Sequence, residues 1–95
     1  MEMKKLFGND HYKVMNVVLK AGESMPTHKA TSDGFLIVKD GLGKITFSDN
    51  VVELREGSTT LIPADKEHEL EVTTAFNAYI IFSADGGVKF MNQAK

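Results

Sequence analysis

Apolar and polar residues alternate with a period of two along most of this chain, and turn residues interrupt the alternation every several positions. Val14–Lys20 is rich in Val and Leu and ends at Ala21-Gly22. Phe35–Val38 is wholly apolar and stops before Asp40-Gly41. Lys44–Ser48 alternates, with Ile45 and Phe47 on one face and Thr46 on the other. Ser48-Asp49-Asn50 supplies a hairpin turn, because Asp and Asn tolerate left-handed conformations and bond their own backbone. Val51–Arg55 alternates again up to Glu56-Gly57, and Ser58–Ile62 is a short run that meets Pro63. In Glu67–Thr73 the alternation is sharp: His68, Leu70 and Val72 share one face, and Glu67, Glu69 and Glu71 the other. Phe76–Ser83 is the last strong strand before Asp85-Gly86-Gly87, and Val88–Met91 adds an edge strand. No segment of useful length has helical period. The pattern predicts seven or eight short strands and an all-β fold, with a sandwich and a jelly roll equally served by it.

Composition narrows the function classes. At 95 residues the chain is expected to form one domain, spanning 1–95, without linker, repeat or low-complexity tract. Such a domain buries roughly 60–70% of its unfolded surface, enough for one compact core. The chain has no cysteine, so neither a disulfide framework nor a thiolate metal site can form, and a cytoplasmic home is expected. Lys4 and Lys5 are followed by no apolar run, which argues against a secretory signal. The longest unbroken apolar stretch, Ala78-Tyr-Ile-Ile-Phe82, is far short of the ~20 residues that span a bilayer, so no membrane role is expected. A net charge of −2 with scattered basic residues gives no stripe for nucleic acid, and nothing reads as a recognition helix. No serine sits in a nucleophile elbow, and no Gly-rich phosphate loop precedes a helix.

Two glycine-framed segments each hold one histidine. The first runs Gly22-Glu-Ser-Met-Pro-Thr-His28-Lys-Ala30-Thr-Ser-Asp-Gly34 and on to Gly41. The second runs Gly57-Ser-Thr-Thr-Leu-Ile-Pro63-Ala-Asp65-Lys-Glu-His68-Glu-Leu-Glu-Val72, with fifteen residues between Gly41 and Gly57. These segments, at 22–41 and 57–72, resemble the paired motifs of the cupin family, G-x5-H-x-H-x3-E-x6-G and G-x5-P-x-G-x2-H-x3-N. The resemblance implies a cupin-type jelly-roll β-barrel. Asp65 stands where the family usually has glycine, a position that wants positive φ and accepts Asp among the better substitutes. Ala30 replaces the second histidine of the first motif and Gly34 its glutamate, so half of the family's metal ligand set is missing.

The resemblance makes His28 and His68 the candidate metal ligands, and with Met25 the candidate ligand-binding residues. Without it, His28 reads as a solvated turn residue and His68 as a buried core histidine. His11, near the N-terminus, matches no motif and reads as a surface residue. Catalytic zinc usually takes three protein ligands, and non-haem iron two histidines and a carboxylate. Asp33 could reach inward through a bulge, but Asp-Gly is a strong turn dipeptide. Asn16 and Met25 are further candidates for the cavity. A two-histidine site could still take up zinc, nickel, iron, manganese or copper. Without metal, two imidazoles in an apolar wall can hydrogen-bond a small polar or anionic molecule, and loss of the glutamate makes the cavity less negative. Three functions follow as alternatives: a small-molecule binding cupin, a metal-dependent cupin enzyme (isomerase, dioxygenase or decarboxylase type) using His28 and His68, and a regulatory or structural dimer.

Phe35-Leu-Ile-Val38 and Ala78-Tyr-Ile-Ile-Phe82 are apolar on both strand faces, so one face of each is left in water unless something covers it. A two-fold homodimer is the expected cover, with Phe35 and Ile37 or Tyr79 and Ile81 on the outer side.

Overall fold

The computed structural model describes residues 1–90. Among these residues ten strands form: β1 (Glu2–Gly8), β2 (Tyr12–Leu19), β3 (Ser24–Ala30), β4 (Gly34–Asp40), β5 (Gly43–Phe47), β6 (Val51–Leu54), β7 (Thr59–Ile62), β8 (His68–Val72), β9 (Phe76–Ser83) and β10 (Val88–Phe90). They make two five-stranded antiparallel sheets, in the orders β1-β2-β9-β4-β7 and β10-β3-β8-β5-β6. The chain crosses between sheets repeatedly, as a jelly roll requires. The all-β jelly roll anticipated from the sequence is the observed fold.

Most strands lie where the alternation puts them. Ile45 and Phe47 are both buried, and so are His68, Leu70 and Val72, while on the other face Glu67 and Glu71 are exposed and Glu69 half-buried. The hairpin between β5 and β6 closes with the Phe47 N–H donating to Asn50 O at 2.8 Å. The last strand ends at Phe90, and Met91, its expected end, lies outside the described residues.

Two strands carry no usable alternation. β1 is an edge strand, exposed along its length apart from half-buried Met3. With one side unpaired and little core to face, it needs no apolar period. β3 contains Pro26, and its pairing with β8 shifts between Met25 and His28. The shift breaks the period of two, so His28 belongs to a strand and not to a solvated turn.

The core lies between the sheets, with Phe76, Leu19, Ile45 and Val38 its largest fully buried side chains. Full burial of each contributes about 1.5–3 kcal/mol. Two backbone devices join the histidine-bearing segments. Asp65 has φ 62°, the left-handed conformation foreseen at that position, and its N–H donates to Ala30 O at 2.8 Å. Asp33 accepts from the Ala64 N–H at 2.8 Å. The loop before His68 is thereby fastened to the strand that carries His28.

The outer face of the β1-containing sheet is apolar along one continuous row. Phe7 is the register partner of Val14, Val14 of Ile81, Ile81 of Phe35 and Phe35 of Leu61. The row crosses all five strands, and Phe7, Phe35 and Leu61 are each 42% or more exposed. Ile37 and Tyr79 face each other in the next row.

Candidate functional site

His28 and His68 are register partners across the β3–β8 pair, so both rings leave the sheet on its inner face at the same level. Each is 5% exposed. Their ring centroids lie 4.2 Å apart with an interplanar angle of 63°. Phe90 packs against His28 and Phe47 against His68, at 5.2 and 5.7 Å between centroids.

The two imidazoles are held by the same local device. The Nδ1 of His28 lies 2.7 Å from Pro26 O, and the Nδ1 of His68 lies 2.8 Å from Lys66 O. A carbonyl oxygen only accepts, so each Nδ1 carries the proton. In a neutral ring that leaves Nε2 with a bare lone pair. Burial pushes both imidazoles below the ordinary histidine pKa, and His28 pushes His68 further in the same direction, against the opposing pull of the carbonyl bonds. The site therefore presents two neutral rings whose free atoms are hydrogen-bond acceptors.

Both imidazoles line a cavity of about 50 Å³ between the sheets, and with Nδ1 committed to a carbonyl, Nε2 is the free nitrogen of each. Met25, Ala30, Gly34, Leu36, Ile80 and Phe82 are among its walls, and the two histidines are its polar side chains. Met3 from β1 and Val88 from β10 also line it, so it extends to the gap between the edge strands of the two sheets. These two were missed in the sequence, Met3 because its strand has no period and Val88 because nothing local marks it.

Other candidates lie elsewhere. Asn16 is on the outer face, where its Nδ2 donates to Asn77 Oδ1 at 2.6 Å and to Ala78 O at 3.0 Å; the parity of β2 sends Val17, not Asn16, to the cavity. Asp33 is exposed and spent on the Ala64 N–H. His11 is exposed, as read.

A family metal does not find its full donor set here. Ala30 and Gly34 sit in the cavity wall at the positions of the two missing ligands. A Cβ on Gly34 would lie 3.0 Å from Ile80 Cδ1 and 3.9 Å from Phe82 Cδ2, so the end of the Ile80 side chain would have to give by a few tenths of an ångström to admit one. Among the described residues no three of His, Cys, Asp and Glu come together. Two imidazoles fall short of the three protein ligands of catalytic zinc and of the iron triad. Among the described residues no helix is long and apolar enough to cross a membrane.

A jelly roll with two buried histidines paired on its inner face defines a barrel-type site. The chain belongs to the cupin family: a cupin domain model matches residues 15–83. A cupin superfamily protein from Desulfitobacterium hafniense superposes with a TM-score of 0.80 at 23% identity, over 88% of this chain and 77% of that one. The polyketide cyclase RemF from Streptomyces resistomycificus gives 0.78 at 17% identity, over 93% and 66%. A salicylate 1,2-dioxygenase from Pseudaminobacter salicylatoxidans gives 0.76 at 17%, over 84% and 25%. At these identities the likeness is one of fold, and the named activities are too varied to transfer. Among curated proteins none matches this chain.

Proposed function

We propose that this protein binds a small molecule inside the barrel, held by hydrogen bonds to His28 and His68 with Met25 in the wall, and that it needs no metal to do so. One observation carries this reading: two imidazoles, each pinned by Nδ1 to the carbonyl two residues before it and left with Nε2 free, line a chamber whose other wall side chains are apolar. Two ordered acceptors in such a wall fix a ligand's orientation, and the apolar surface supplies its affinity. The second reading, a metal-dependent enzyme using the same two histidines, draws on the same Nδ1 bonds, because metal-bound imidazoles are oriented in that way. The lack of a third donor beside the two histidines among the described residues weighs against it.

The test is elemental analysis after chelator treatment and metal reloading, on the parent and on His68→Ala, with mass spectrometry of any retained organic ligand. An empty parent that still holds an organic molecule supports the binding reading. Stoichiometric metal in the parent, lost in His68→Ala, replaces it with the enzyme reading.

The protein works, on this proposal, as a cytoplasmic homodimer. The Phe7-Val14-Ile81-Phe35-Leu61 row is the kind of apolar surface that a two-fold partner covers, residue for residue with itself.

A further inference from the structure

We infer that the chamber selects an uncharged ligand whose apolar frame carries a hydrogen-bond donor, a hydroxyl foremost, over a carboxylate of the same size. The inference rests on the small-molecule reading above and narrows its ligand to the uncharged half of the polar-or-anionic class. Its basis is the direction of each hydrogen bond. Both Nδ1 protons are committed to Pro26 O and Lys66 O. What remains for a ligand is two lone pairs, which accept and do not donate. An anion brought to two lone pairs gains no hydrogen bond from them, because both ring protons are already given to backbone carbonyls. The remaining wall, from Leu36 and Ile80 to Phe82, offers a charged group no compensation for leaving water. A hydroxyl satisfies the geometry directly: it donates to one Nε2, and its carbon frame lies against the apolar wall.

Size sets the rest. A cavity of about 50 Å³ holds a few waters, whereas a benzene-sized guest takes about 150 Å³. The thioethers of Met3 and Met25 line the chamber, and an unbranched, flexible side chain is the kind that yields to a guest. The hydroxyl end sits at the histidines and the frame extends towards the gap between β1 and β10.

Phenol, its methyl ether anisole and benzoate separate the possibilities, since they share a ring and differ in donor and charge. Each is titrated at pH 7.5 into the 15N-labelled full chain and into Met3→Ala, which enlarges the chamber and leaves both histidines in place. Phenol is expected to bind about two- to tenfold more tightly than anisole, the worth of one net hydrogen bond, with benzoate weakest. Long-range proton–nitrogen spectra are expected to show phenol shifting Nε2 of His28 or His68 while Nδ1 stays protonated. In a folded His28→Leu/His68→Leu variant the preference for phenol over anisole is expected to vanish. Equal binding of phenol and anisole, or benzoate binding as tightly as phenol, overturns donor selection while leaving the chamber as the binding site. No response of the barrel amides to any of the three, in parent and Met3→Ala alike, overturns the binding reading as well.

Discussion

Restoring one missing ligand tests whether the chamber is a metal site lacking donors. Ala30 lies on the inner face of β3, two residues beyond His28, and lines the same cavity. Ala30→His therefore adds a third imidazole beside an existing pair whose centroids are 4.2 Å apart, matching the three-histidine face of catalytic zinc. The new ring must enter a cavity of about 50 Å³, and overpacking of this kind costs about 1–3 kcal/mol without metal. Zinc recovers it: free zinc at one hundred times Kd stabilises the folded state by about 2.7 kcal/mol. For a domain of this size each kcal/mol moves Tm by about 4–8 °C, so zinc is expected to raise the variant's Tm by about 10–20 °C. The parent, with two donors, is expected to shift by about 2 °C or less on the same scale. Thermal denaturation with and without zinc, together with elemental analysis for one zinc per chain, reads the result. The reasoning fails if zinc stabilises the parent as much as the variant, or if a folded variant takes up no zinc.

Acid should destabilise the fold through the same pair. Both imidazoles have pKa values lowered from 6.5 by burial, so between the folded and unfolded values the unfolded chain binds more protons. Stability is then constant above about pH 6.5 and falls as the pH drops below it, by at most about 1.4 kcal/mol per pH unit per ring. Urea melts from pH 8 to 5 check this, and a His28→Leu/His68→Leu variant showing the same slope would refute the assignment. Phe35→Glu, which puts a charge in the centre of the outer apolar row, is expected to give monomers in sedimentation where the parent gives dimers; a monomeric parent removes the dimer from the account. Gly41 has φ +103°, and a Cβ there would meet Ala75 O and lie 2.8 Å from Phe76 Cα, so Gly41→Ala is expected to cost about 2–4 kcal/mol in denaturant melts. Asp65→Gly, at φ 62°, is by contrast expected to change stability by less than about 1 kcal/mol.

The all-β class, most strand positions and the inward parity of His68 with Leu70 and Val72 were legible in the residue pattern. Those features are local: a period of two and a turn residue are written into neighbouring positions, and burial follows from them. The glycine-framed motifs added the jelly roll and the positive φ at Asp65. Tertiary structure alone decided the rest. The motifs had paired His28 with His68, but it took a pairing shift beside Pro26 to make an apparent polar turn a strand and set the two in register. The assembly of the sheets set Ile80 and Phe82, two side chains far from it in the chain, beside Gly34. Which nitrogen of each ring is free was set by a carbonyl whose direction no residue pattern records. Strand parity says which side chains go inward. The direction of a hydrogen bond, which governs what the chamber accepts, exists only once the backbone has been folded around it.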